Sequence, residues 1–225
     1  IPDQIGLIQK LTKWAARIDH PSQAPAKIRE AFKQLQTGRP RPVELEMPMD
    51  VMGQQSMVSI LPPESYAESD PHLEYIEEAA KLLSKAKKPL LVVGGGAQGA
   101  NLEILQIAEL LQAPVMTTLP GKSAFPENHK LALGASAVST TKPVAHFLTR
   151  ADCVLGIGTS FTRTNYGRTI PPGKVIIHAT NDATDVNKDY PADHALIGDA
   201  KLTISSLIAE IEAGGDQVIA AAKAQ

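Results

Sequence analysis

Lys88-Pro-Leu-Leu-Val-Val-Gly-Gly-Gly-Ala-Gln-Gly99 is the stretch from which the fold is read. Pro89 to Val93 is apolar without alternation, as expected of a strand buried on both faces. It runs into Gly94, Gly95 and Gly96. Asn101 to Gln112 then places Ile104, Ile107, Ala108 and Leu111 on one helical face. Strand, glycine turn and helix form the opening of a βαβ unit. Outward toward the C-terminus the theme repeats. Pro114–Thr118, Cys153–Ile157, Val175–Ala179 and His194–Ile197 read as strands. Lys142–Arg150 reads as a helix, and Asp199 caps a last helix carrying Leu202, Leu207, Ile208 and Ile211. The pattern predicts an α/β fold with a parallel sheet covered by helices on both faces.

Outward toward the N-terminus the signals are sparser. Leu11–Ile18 has no decided period and fits a strand or a helix. Pro25–Gln36 predicts a helix with Ile28, Ala31, Phe32 and Leu35 on one face, ended by Gly38. Pro42–Met47 alternates like a half-buried strand. Residues 1–50 therefore read as a partial α/β unit. Residues 51–70, with Pro62-Pro63 and a polar stretch, read as a linker. Asp70 and Pro71 suit the N-cap and first position of a new helix, acidic early and lysine-rich late. Residues 71–215 form the main domain in this reading, and 216–225 a tail.

The 225 residues carry 22 Lys+Arg against 24 Asp+Glu, a net charge of −2, so no basic excess points to nucleic acid. No apolar run approaches the roughly 20 residues of a membrane span. One cysteine, Cys153, excludes an intramolecular disulfide and a cysteine-based zinc site. A cytoplasmic location is the simple expectation. The first residue, Ile rather than Met, reads as the start of an internal piece of a longer chain.

Gly94-x-Gly96-x-x-Gly99 follows a strand and precedes a helix. Glycines there let a backbone approach a phosphate beside a helix N-terminus, but they equally suit a tight turn without a ligand. The dinucleotide fingerprint needs an acid near the end of the second strand. That strand ends in Thr117-Thr118, which disfavours an ordinary NAD-dependent dehydrogenase. Gly121-Lys122-Ser123 is similar to the end of a phosphate loop, yet Met116 stands where its first glycine belongs. Lys122 remains a point charge for a phosphate, or a plain surface lysine. The six histidines show no metal-ligand spacing. Cys153 reads as a buried small hydrophobe.

Taken together, these segments resemble thiamine-diphosphate enzymes of the acetolactate synthase type. Thr12-Lys13-Trp14-Ala15, Ile28–Phe32, Gly38–Val43 and Met47–Asp50 resemble the end of the pyrimidine-binding domain. Lys88–Gly96, Ala113–Thr118, Gly121–Pro126, His129 with Leu133-Gly134, Ala151–Gly158, Ile177–Asp182, Lys188 and Gly198–Lys201 resemble the central domain. The resemblance implies a Rossmann-like sheet of six parallel strands, and a fragment: the tail of the first of three domains plus the second. In the family the cofactor-activating glutamate lies at the start of the first domain and the motif for Mg²⁺ and diphosphate in the third, so no catalytic or metal residue is assigned here. For the whole enzyme it implies thiamine diphosphate, Mg²⁺, a 2-keto acid substrate, decarboxylation or carboligation, and a homodimer or homotetramer without membrane or nucleic-acid partners.

Some family members hold FAD across the central sheet, one branch holds ADP, and others leave it empty. By position, candidate contacts are Gly94, Gly95, Gly96, Thr118, Leu119, Lys122, Ser136, Gly158, Thr159, Ser160, Thr180, Asn181 and Asp199. Two positions depart from the family: it often has an acid where Thr180 stands and glycine where Arg41 stands. The competing classes are a free-standing nucleotide-binding module and a purely structural spacer.

Overall fold

The computed structural model describes residues 2–137, 140–165 and 167–214. The tail expected over 216–225 lies outside the described residues. The chain divides into two compact units, Ile1–Glu68 and Ser69–Gln225.

The first unit holds α1 (Gln4–Ile8), β1 (Trp14–Arg17), α2 (Ala24–Gln36), β2 (Val43–Glu46) and α3 (Met49–Met52). The undecided segment after Leu11 thus resolves as a strand. β1 and β2 pair in parallel, Trp14 opposite Val43 and Arg17 opposite Glu46. Lys13 organises the crossover. Its Nζ donates to the carbonyls of Gln34, Thr37 and Arg39 at 2.7, 2.5 and 3.2 Å, placing a cation at the C-terminus of α2. Of the apolar face expected on α2, Ala31 is buried, whereas Ile28 and Phe32 stay 44% and 56% exposed. They line a groove of about 540 Å³ with Val58, Ile60, Pro62 and Tyr66.

The second unit is one sheet of six parallel strands in the order β5-β4-β3-β6-β7-β8. Its elements are α4 (Leu73–Lys85), β3 (Pro89–Val93), α5 (Asn101–Leu111), β4 (Val115–Thr117), β5 (Ala132–Ala135), α6 (Lys142–Arg150), β6 (Cys153–Ile157), β7 (Val175–Thr180), β8 (His194–Ile197) and α7 (Ala200–Ala213). β5 is the strand that periodicity did not resolve. Its partner register shifts between Val115 and Met116, and Gly134 has a φ of +92°. Among the described residues no α-helix covers the crossovers β4–β5, β6–β7 or β7–β8.

Period-two alternation sorts the strands' side chains. Leu91, Val93, Leu155, Ile157, Ile177 and Leu196 face α4, α5 and α7, and all are nearly inaccessible. Leu90, Val92, Val154 and Ile176 face the other way, onto Val144 and Leu148 of α6 and onto Phe161, Ile170 and Tyr190 of the loops. Two helix ends have clear causes. Gln112 adopts the left-handed conformation (φ 49°) after α5, and Pro114 forbids continuation. Asp199 caps α7 by accepting from the N–H groups of Lys201 and Leu202 at 2.8 and 3.0 Å.

One boundary is corrected. α4 begins at Leu73 with His72 at its N-cap position, not at Asp70-Pro71. The reason is tertiary. Ser69 accepts the Asp199 N–H at 2.7 Å, and Pro71 is so close that a Cβ on Gly198 would lie 2.6 Å from its Cδ. Residues 69–71 are therefore held against the start of α7 and are not available to open a helix.

Leu155 sits in the middle of the central strand at 0% exposure. Leu155→Ala is expected to lower unfolding free energy by about 2–5 kcal/mol, because the sheet cannot close around the lost volume. A urea titration of both proteins reads the difference as a lower midpoint at unchanged slope.

Candidate functional site

Because all six strands are parallel, their C-terminal ends share one edge. The chain leaves β3 for β4 and β5 on one side, then returns to place β6 on the other. The reversal between β3 and β6 is where open α/β sheets receive ligands. Every candidate residue lies on this edge. Ser136 follows β5, and Thr118, Leu119 and Lys122 follow β4. Gly94, Gly95 and Gly96 follow β3, and Gly158, Thr159 and Ser160 follow β6. Thr180 ends β7 with Asn181 next, and Asp199 follows β8.

At the reversal itself, backbone meets backbone. The Gly94 N–H donates to Ile157 O at 2.8 Å and the Gly96 N–H to Gly158 O at 2.9 Å. A Cβ on Gly94 would stand 2.2 Å from Gly158 O, and one on Gly158, whose φ is +58°, would stand 2.3 Å from Ala97 N. The glycines are required by this mutual approach. A Cβ on Gly95 would reach Pro120 Cβ at 3.0 Å, so this face too is met by protein. Two amides that a phosphate loop would aim at its ligand are thus already hydrogen-bonded, which matches the tight-turn alternative.

The loop after β4 is fastened to the same place. Gly121 passes so near that its Cβ would lie 2.3 Å from Val93 O. Gln98 Nε2 donates to Pro120 O at 2.9 Å and Asn101 Nδ2 to Ser123 O at 3.0 Å. Gly121-Lys122-Ser123 is therefore a turn docked on the end of β3, with Ser123 at φ 75°, and it opens no helix. Lys122 points to Glu127 at 3.8 Å, both exposed.

The remaining groups differ in what they offer. Leu119 is 55% exposed. Ser160 shares a hydrogen bond with Thr162 at 2.8 Å. Thr180 is buried, and its hydroxyl accepts the Asp182 N–H at 3.2 Å, while Asn181 is exposed. The position where an acid would hold a ribose thus carries a hydroxyl engaged in its own turn. Ser136 is buried, and the Asp199 carboxylate is engaged in capping α7.

Sequence reasoning missed Phe161 and His178. The β6 loop turns back at Phe161 (φ 47°), and its ring fills the space above Gly156, where a Cβ would lie 2.1 Å from Phe161 Cζ. The ring packs on His178 at 4.8 Å between centroids and on Tyr190 at 6.2 Å. Tyr190 in turn receives Arg163 over its ring at 4.6 Å. His178 is buried, and its Nε2–H donates to Thr159 O at 2.7 Å. Burial lowers its pKa, only partly opposed by that bond and by Asp185. The available signal was a histidine inside an apolar strand, opposite a glycine. Cys153 lies within β6, and burial pushes its thiol up to about 12, so it is no nucleophile at neutral pH.

Among the described residues no group of three or more His, Cys, Asp or Glu side chains is arranged to hold a metal ion. Among the described residues no helix is long and apolar enough to cross a membrane. The family model described as the thiamine pyrophosphate enzyme central domain matches residues 76–207. The chain belongs to the thiamine pyrophosphate enzymes. A probable acetolactate synthase large subunit of Methanocaldococcus jannaschii is 35% identical over 220 residues, covering 93% of this chain and 37% of that one. The acetolactate synthase large subunit of Corynebacterium glutamicum is 34% identical over 212 residues, 90% of this chain and 34% of its own. A solved structure from Mycobacterium smegmatis, classed as thiamin diphosphate-dependent, superposes with a TM-score of 0.79 at 26% identity, over 93% of this chain and 41% of that one. Benzoylformate decarboxylase from Polynucleobacter necessarius shares the fold, with a TM-score of 0.78 at 23% identity, over 93% of this chain and 40% of its own. The chain thus spans little more than a third of the curated relatives it matches.

Two outcomes follow from this geometry. Gly158→Ala is expected to cost about 2–4 kcal/mol, from a left-handed φ and from a Cβ driven into the glycine turn; guanidinium unfolding reads it. His178 binds its proton less readily when folded than when unfolded. As pH falls through its unfolded value of about 6.5, the unfolded chain takes up the proton first and stability is lost. Urea midpoints between about pH 7.5 and 5 should fall, and His178→Gln, which keeps a donor for Thr159 O, should flatten that slope.

Proposed function

We propose that this chain is the middle portion of a thiamine-diphosphate-dependent enzyme resembling acetolactate synthase, and that its second unit is a rigid spacer between catalytic domains. The observation that carries the spacer reading is the interlock of Gly94, Gly96 and Gly158, which fills the reversal point with protein. Residues 1–50 are assigned to the end of the pyrimidine-binding domain, 51–70 to a linker and 71–215 to the central domain. The first unit supports this assignment. Among its described residues the sheet is a parallel pair, an arrangement that needs further strands and cover, and Glu44 Oε2 and Glu46 Oε2 are buried without a hydrogen-bond partner.

In the whole enzyme, thiamine diphosphate, with Mg²⁺, supplies the nucleophilic carbon for cleaving a 2-keto acid. Its sites would lie mostly outside the residues described here. The part of these residues is to fix the separation and orientation of the domains that hold the cofactor, within a homodimer or homotetramer. Rigidity suits that task, because a displacement of about 1 Å in a reacting group can cost roughly a hundredfold in rate.

A second reading has one observation in its favour. Leu119, Lys122 and Asn181 are exposed along the C-terminal edge, with Thr159 and Ser160 half-buried beside them. They form a rim on which FAD or ADP would lie without entering the glycine turn. The longer protein that carries this chain is expected to form acetolactate from pyruvate when supplied with thiamine diphosphate and Mg²⁺. Neither FAD nor ADP should raise its melting temperature. A nucleotide at about 100 times its dissociation constant would add roughly 2.7 kcal/mol, and such a shift would replace the spacer reading with the second. Failure to form acetolactate or to bind thiamine diphosphate would overturn the first.

A further inference from the structure

A groove of about 800 Å³ lies at the opposite, N-terminal edge of the sheet, away from every candidate residue above. Leu90, Leu111, Pro114 and Phe147 supply its apolar wall, and Lys87, Lys88, His146 and Arg150 its polar one; no carboxylate lines it. Phe147 is 41% exposed. On a chain of net charge −2, this concentration of cations is local.

Some cations of this unit are paired with carboxylates and others are not. Lys81, Lys122, Lys188 and Lys201 each stand within 3.9 Å of a carboxylate. Among the described residues Lys87, Lys88 and Arg150 have no such partner. Arg150 Nη1 instead contacts His146 Nε2 at 2.6 Å, an imidazole nitrogen accepting from a guanidinium. Asp152 lies nearby, but its two oxygens accept the backbone N–H groups of Lys87 and Lys88 at 2.9 Å each. The negative ends of α4, α5 and α6 also face this edge. Lys85 lies in the last turn of α4, and Lys174 Nζ binds the carbonyls of Thr149 and Ala151 at 3.0 and 2.6 Å. Lys87, Lys88 and Arg150 outnumber the Asp152 carboxylate and leave net positive charge beside an apolar wall.

We infer that this groove binds a small organic anion with a flat apolar body, its acidic group held by Lys88 and Arg150 and its body laid against Phe147 and Pro114. The volume falls within the usual range for small-molecule clefts, and a cation pair beside an aromatic face complements an aromatic carboxylate, sulfonate or phosphate monoester. The site is independent of thiamine chemistry and of the C-terminal edge.

Anilinonaphthalene sulfonate is a suitable probe, with its uncharged counterpart N-phenylnaphthylamine as the control. Fluorescence titration of the full chain should show one saturable site for the sulfonate, weakened by added salt. Lys88→Glu/Arg150→Glu should weaken it by about tenfold or more, and Phe147→Ser by several-fold, with N-phenylnaphthylamine insensitive to the charge reversal. Should the double reversal fail to fold, judged by circular dichroism, Lys88→Gln and Arg150→Gln singly should each weaken binding by several-fold. Unchanged sulfonate affinity in these variants would overturn the assignment. So would loss of binding in Phe32→Ser, which places the probe in the groove beside α2.

Discussion

The structure depends on two loops approaching each other closer than any side chain allows. Gly158 presents its carbonyl into the turn after β3, and Gly94 and Gly96 answer with hydrogen bonds to Ile157 and Gly158. This contact joins the two halves of the sheet at their common C-terminal end. It sets where the β4 loop can dock, because Gly121 must slide past the same backbone. It also sets where the β6 loop must go, since Phe161 turns back at once over Gly156. A ligand-like surface at the reversal point is therefore largely consumed by the fold.

The two faces of the sheet are completed by different means. Three helices cover one face, and their buried residues form a continuous apolar layer with the strands. The other has α6 and then loops, and it closes with aromatic rings: Phe161 on His178, Tyr190 on Phe161, Arg163 on Tyr190. The Tyr190 hydroxyl accepts the Ile170 N–H at 3.2 Å, fastening the two loops together. These loops do the work a crossover helix would otherwise do, which explains why a buried histidine that resists protonation sits beneath them.

Much of this architecture was legible in the residues, because strands buried on both faces leave uninterrupted apolar runs. Pro89–Val93 and Cys153–Ile157 have the bounds the sequence reading placed on them. Ala132–Ala135 was hidden, since it is short, lacks β-branched residues and bends at Gly134. The start of α4 misled because Asp70-Pro71 has good local cap chemistry, and only the distant Gly198 and Asp199 show why it is not used. The α2 face was recognised as apolar, yet its exposure depends on neighbours that no local pattern names. For the site, a parallel sheet places loop residues along one edge automatically. The use of the glycine amides could not be read, because their acceptors lie about 60 residues downstream and declare themselves only in three dimensions.

The strand order has a consequence for how the molecule is made. β3 lies between β4 and β6, but the chain delivers β4 and β5 first. Asp152, which receives the amides of Lys87 and Lys88, is encoded 64 residues after Lys88. At roughly 5–20 residues per second of synthesis, one flank of β3 waits about 3–13 s for its neighbour. During that interval an apolar strand presents a row of unpaired amides and carbonyls, the kind of edge that recruits foreign strands. Parallel pairing between strands so far apart in the chain is itself among the slower folding steps. The nascent chain therefore passes through a half-sheet that is both sticky and incomplete, and arrival of β6 ends the exposure.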